Sequence, residues 1–172
     1  MSGSKALLAA CLLILLAPVG PAGAQSGAQL RVESMYREYE REAFPGVPAV
    51  TAVAARAWAD SVDVVFVDVR APRERRISEL PGALSAAEFE QTADRYTDRP
   101  VIVYCTIGYR SGIETVALRT RGVEAYNLEG GILAWAHAEG EVVDGVSALP
   151  THRVHVYGRR WNLLPAGWTG VW

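Results

Sequence analysis

This chain is nearly without lysine and cysteine. Lys5 is the only lysine, so the remaining basic residues are arginines, set against nineteen Asp and Glu. Neither sign of charge is collected into a run or stripe. That excludes the electrostatic footprint of a nucleic-acid binder or of a protein held on an anionic membrane surface. No Gly-x-Gly-x-x-Gly follows an apolar run, so the Gly130-Gly131 pair is not a dinucleotide loop. Histidine is scarce as well. His152 and His155, three apart, fall on opposite faces of a strand, which argues against a metal site there. No internal repeat, low-complexity stretch or second-domain linker is visible.

The longest apolar run, residues 6–19, is short for a membrane span. Behind Lys5 and ahead of Ala22-Gly23-Ala24 it reads as a secretory signal peptide cut after Ala24, with a periplasmic or secreted product. Leu8-Ala9-Ala10-Cys11 resembles a lipoprotein box. Yet Cys11 lies inside the apolar run, with Leu12 to Leu16 still to come, and this argues against lipidation. Cleavage leaves 148 residues, enough for one domain with a core, carrying sixteen arginines and a net charge of −3. It also leaves Cys105 alone, which rules out an internal disulfide. A lone thiol in an oxidising compartment is a liability unless it is buried or used.

Short apolar strands alternate with short helices. Helical patterns cover 31–44, 54–60, 72–76, 86–96, 111–121 and 132–137. Strand patterns cover 49–52, 63–69, 100–104 and 123–128, with a turn at Pro81-Gly82-Ala83 feeding a short one. This alternation predicts an α/β fold in three layers: a central, mostly parallel five-stranded sheet with helices on both faces. Sites in such sheets lie at the carboxyl ends of strands. Residues 25–48 form an N-terminal helical extension and 49–142 the main domain. Residues 143–149 read as linker. The rest of the Trp-rich extension (143–172) is too apolar for a free tail and packs back as an extra strand and a wrapping segment. The pattern leaves open whether it covers a sheet edge or overhangs the site.

The chemistry concentrates at Val101-Ile102-Val103-Tyr104-Cys105, followed by Thr106, Ile107, Gly108, Tyr109, Arg110 and Ser111. A buried strand ends at a cysteine, and a tight loop leads into a helix that Ser111 is expected to cap. The loop amides and the positive end of the helix dipole would surround the Cys105 sulfur and favour the thiolate. Gly108 permits the turn, and Arg110 supplies a fixed charge for an anionic donor. The plain alternative is a buried cysteine acting as a small hydrophobe; the loop argues for use. Tyr109 either stacks on a ligand or shapes the loop. Trp135 reads as core.

From residue 63 to about 140 the chain resembles a single-domain rhodanese, a sulfurtransferase. Four segments carry the resemblance: Val67-Asp68-Val69-Arg70 with Glu74, Pro81-Gly82-Ala83, the Cys105–Ser111 loop, and Leu128-Glu129-Gly130-Gly131-Ile132-Leu133-Ala134-Trp135. One departure is Ser78-Glu79-Leu80, where the family usually has Gly-His-Ile. The resemblance implies a persulfide relay. Cys105 takes sulfur from a small donor (thiosulfate, polysulfide or persulfide) and passes it to a thiol or cyanide-like acceptor, with no metal or organic cofactor. A protein partner is compatible with this. Asp68, Arg70 and Glu74 are expected to support the loop by hydrogen bonds without taking part in the chemistry. Two rivals remain. A cysteine phosphatase usually places five residues between Cys and Arg, and here there are four. A rhodanese-like module can also carry or sense sulfur without turnover.

Overall fold

The computed structural model describes residues 25–172; the expected leader and Cys11 lie outside them. Strands β1 (Ala49–Val50), β2 (Val65–Asp68), β3 (Leu84–Ser85), β4 (Val101–Tyr104) and β5 (Ala125–Leu128) form one sheet. Its order is β1-β5-β4-β2-β3, and every pair is parallel. The expected three-layer α/β architecture is therefore present, with β4 at its centre. All four β4 residues are buried. Ile102 and Tyr104 join one core with Leu128, Ile132 and Leu133, and Val101 and Val103 join the other with Val65, Phe89 and Leu118. Burial on both faces is why the strand reads as an unbroken apolar run.

Among the described residues six α-helices connect and cover the strands: α1 (Gly27–Ala43), α2 (Ala52–Ser61), α3 (Pro72–Arg75), α4 (Ala86–Thr92), α5 (Tyr109–Thr120) and α6 (Gly131–His137). Capping chemistry fixes several starts. Ser26 and Thr51 accept from the N–H groups of Gln29 and Ala54 at the heads of α1 and α2. Ser85 and Glu88 cap α4 reciprocally. Both α1 and α2 begin earlier than their apolar periodicity suggests, because periodicity starts with the first buried residue and the cap lies before it. Gly112 lets α5 meet the end of α1, since a Cβ there would come 2.4 Å from the Phe44 ring.

The C-terminal region differs from expectation. It holds two strands, β6 (Arg153–His155) and β7 (Thr169–Val171), paired with each other as a separate parallel ribbon. It extends neither edge of the main sheet. Val154 and Val156 are buried in the same core as Ile102 and Leu133. The stretch read as linker is pinned: Val143 bridges Glu79 and Pro150, and the Asp144 carboxylate accepts from the N–H groups of Val146 and Ser147.

Candidate active site

β4 delivers Cys105 to the carboxyl edge of the sheet, and the next three residues turn the chain into α5. The turn depends on Gly108, whose φ of +96° is left-handed. Its carbonyl accepts from Asn127 Nδ2 at 2.9 Å, and a Cβ would press into the Tyr36 ring at 2.5 Å. Its N–H donates to Cys105 Sγ at 3.2 Å. The sulfur therefore sits at the N-terminus of a twelve-residue helix with a backbone donor aimed at it. A second helix holds the loop from behind. The N–H groups of Ile132 and Leu133 in α6 donate to the carbonyls of Cys105 and Thr106, at 2.9 and 3.3 Å. Gly131 makes room for this, as a Cβ would lie 2.4 Å from the Cys105 carbonyl oxygen.

Ser111 does not do what its residue type suggests. The helix starts two residues earlier, with Gly108 as its cap and no side-chain cap bond. Ser111 lies in the first turn, fully buried, and its Oγ has no hydrogen-bond partner.

Arg110 and Glu74 form a fork. Arg110 donates from Nη1 to Glu74 Oε2 at 2.7 Å and from Nη2 to Oε1 at 2.8 Å. Nη2 also donates to Thr106 Oγ1, at 3.2 Å. Glu74 further accepts from the Ala71 N–H at 2.9 Å. Burial raises the carboxyl's pKa, but the bonds from Arg110 and Ala71 outweigh it and hold the group at about 2. The Arg110 pKa is raised, first by Glu74 and then, after the opposing effect of burial, by the nearby Cys105. The positive charge expected to face a donor is thus largely matched by Glu74.

Asp68 and Arg70 make a different unit. Arg70 donates through Nε and Nη2 to both Asp68 oxygens, and its Nη2 also reaches the Ser78 carbonyl at 2.6 Å. Both side chains are completely buried. The guanidinium lies 5.5 Å from the Tyr104 ring centroid, and the Tyr104 hydroxyl accepts from the Leu80 N–H. This pair fastens the segment after β2 to the Ser78 backbone and makes no hydrogen bond to Cys105. Glu74 is not part of this unit; it hydrogen-bonds the loop itself, through Arg110 and Thr106. Glu79, the extra carboxylate of the departing tripeptide, pairs with Arg75.

Above Cys105 opens a cavity of about 390 Å³. Cys105, Thr106, Ile107, Tyr109 and Arg110 line it from the loop, whereas Gly108 and Ser111 do not. Sequence reasoning missed its other walls, which are Tyr39 from α1 and Tyr157 and Trp161 from the C-terminal region. Tyr39 meets Tyr109 edge to face at 5.2 Å, and Tyr157 meets Trp161 likewise at 5.4 Å. The Arg110 guanidinium lies 5.7 Å from the Tyr157 ring centroid. His155 comes within 3.9 Å of Glu74, and its Nδ1 accepts from the Tyr157 N–H. Burial, ahead of the opposing pull of Glu74, lowers the His155 pKa. Apolar richness in 151–172 signalled that the segment packs, but no local pattern named its target. Among the described residues there is no cluster of His, Cys, Asp and Glu suited to a metal.

The model of the Rhodanese-like domain matches residues 51–138. A sulfurtransferase of Allochromatium vinosum is 37% identical over 82 residues, covering 45% of this chain and 77% of that protein. A tRNA sulfurtransferase of Desulfurococcus amylolyticus is 35% identical over 108 residues, which is 60% of this chain but only 20% of that protein. A solved structure of a thiosulfate sulfurtransferase from Pseudomonas aeruginosa aligns with a TM-score of 0.56 at 25% identity, covering 71% of this chain and 24% of that one. Tyr39, Tyr157 and Trp161 all lie outside the matched residues.

Proposed function

Since this chain belongs to the family of rhodanese-like domains, we propose that it is a sulfurtransferase working through a persulfide on Cys105. The observation that carries this reading is the Cys105 sulfur, held at the head of α5 with the Gly108 N–H donating to it, at the floor of a cavity. Both the amide and the helix dipole stabilise negative charge on sulfur, before and after it is loaded. The thiolate attacks the outer sulfur of a donor. A Cys105–sulfur bond forms as the donor's sulfur–sulfur bond breaks, and the bonding pair leaves on the donor's remainder. An acceptor thiolate or cyanide then attacks the outer sulfur and returns Cys105 to its thiolate. Glu74 fixes Arg110 beside the sulfur and the α6 amides keep the loop in shape, while Asp68 and Arg70 brace the segment that follows β2. The signal-peptide pattern of residues 1–24 supports action outside the cytoplasm; N-terminal sequencing of protein from cell fractions tests that, with Gln25 the expected first residue.

One observation favours a second reading. Cys105 is 1% exposed, which suits a module that carries or senses sulfur with little turnover. Intact mass after incubation with thiosulfate, polysulfide or an organic persulfide tests the first step. A gain of about 32 Da that cyanide removes, absent from Cys105→Ser, is expected. No gain with any donor would sink the sulfur-transfer reading. A gain without catalytic thiocyanate formation would favour the carrier.

A further inference from the structure

The cavity over Cys105 is poorly suited to a small, doubly charged inorganic ion. Its volume, about 390 Å³, falls in the range of sites for small organic molecules, and an ion such as thiosulfate would leave much of it unfilled. Arg110 is the only cation among its lining residues, and its fork to the Glu74 carboxylate offsets that charge. Little free positive charge is left to offset the dehydration of a dianion. The walls are instead aromatic. Tyr109 and Tyr157, 42% and 55% exposed, stand at the mouth.

Tyr157 is held there against backbone preference. Its φ of +68° is left-handed, a conformation disfavoured for a bulky residue. Its N–H bond to His155, the edge-to-face contact with Trp161 and the stacking on Arg110 maintain that conformation. A ring kept in a strained backbone position over the reactive sulfur is a feature that packing alone does not require. It belongs, with Trp161 and Tyr39, to segments outside the family domain.

We propose that these three side chains form a specificity wall, and that the sulfur donor is an organic molecule whose sulfane sulfur is attached to an apolar or aromatic group. This deepens the sulfur-transfer reading and rests on it. For a thiosulfonate, R–SO₂–S⁻, Cys105 attacks the terminal sulfur. The sulfur–sulfur bond of the donor breaks, the pair leaves on the sulfinate R–SO₂⁻, and Cys105 keeps the persulfide anion. Charge balances and no outside oxidant or reductant is needed.

The test compares benzenethiosulfonate with thiosulfate on the full chain, with cyanide as acceptor, in wild type, Tyr157→Ala and Trp161→Ala. The quantity read is the ratio of kcat/KM for the aromatic donor to that for thiosulfate. Loss of an aromatic contact is expected to lower that ratio about fivefold in each variant. Tyr157→Ala is the more informative variant, because that side chain is largely exposed; a melting curve checks both proteins. Binding of benzenesulfinate, a leaving group that cannot load sulfur, is measured in parallel by calorimetry and is expected to weaken in both variants. A ratio that stays constant across the variants, or no benzenesulfinate binding, overturns the donor class while leaving sulfur transfer intact. No mass gain on Cys105 with either donor overturns the sulfur-transfer reading, and this inference with it.

Discussion

Glu74 keeps its negative charge in a position without water, at 0% exposure. It does so because two arginine nitrogens and one backbone N–H meet its two oxygens. The folded pKa, about 2, lies below the ordinary 4.5. The unfolded chain therefore takes up the proton first, so this stabilisation is complete above about pH 4.5 and fades as pH falls towards 2. Its size is about 3 kcal/mol by linkage. Glu74→Gln is expected to lose most of that at neutral pH and to flatten the pH dependence between those limits, as measured by urea unfolding at several pH values. An unchanged slope there would mean that another carboxylate sets the acid limb. Linear order gave little notice of the fork. Glu74 stands near Asp68 and Arg70, which suggested a common unit, while its partner Arg110 lies on a helix two strands further on.

Among the elements, the contact between α6 and the Cys105 loop most constrains the site. The first amides of a helix normally look for a cap, and here the loop carbonyls provide it. Gly131, at φ +55°, permits the approach. Gly131→Ala combines left-handed strain with a clash against backbone that cannot swing aside. The expected cost is about 3 kcal/mol, read as a shift in denaturation midpoint, together with slower sulfur loading of Cys105. A variant as stable as wild type would show that the loop moves to accommodate the methyl. The strands and most helices were legible because β4 and β2 announce two-sided burial and the helices show apolar periodicity between turn residues. The start of α5 was misread for an understandable reason. Serine is a common N-cap, whereas what fixes Gly108 is Asn127 on β5 and Tyr36 on α1, partners that no local pattern reveals.

For the molecule as a whole, the segments flanking the family domain complete the site. Their apolar content told that they pack; their destination is a long-range property, decided by where Val154, Val156 and Trp161 find uncovered core. His155 ties this region to the Arg110 fork. Its lowered pKa means that the unfolded chain is protonated first as pH drops below the ordinary 6.5, and protonation of Nδ1 would also break the bond from the Tyr157 N–H. Stability is accordingly expected to decline over the interval just below pH 6.5, less so in His155→Gln. Thermal melts across that interval check it, and equal declines in the two proteins would remove His155 from the account.

The small ribbon of β6 and β7 has a kinetic side. Two strands of three residues each are joined in parallel, with no third strand beside them among the described residues, an arrangement with little stability of its own. Such a unit can detach in a partial opening well short of global unfolding. Amide hydrogens at Val156 and Thr169, bonded to Val171 and His152, are expected to exchange faster than those of β4 by several orders of magnitude. The rate at which a bulky acceptor reaches the sulfur would then follow the population of that opened form more than the reactivity of the thiolate. Native-state hydrogen exchange, set beside acceptor rates for thiols of increasing size, measures both quantities.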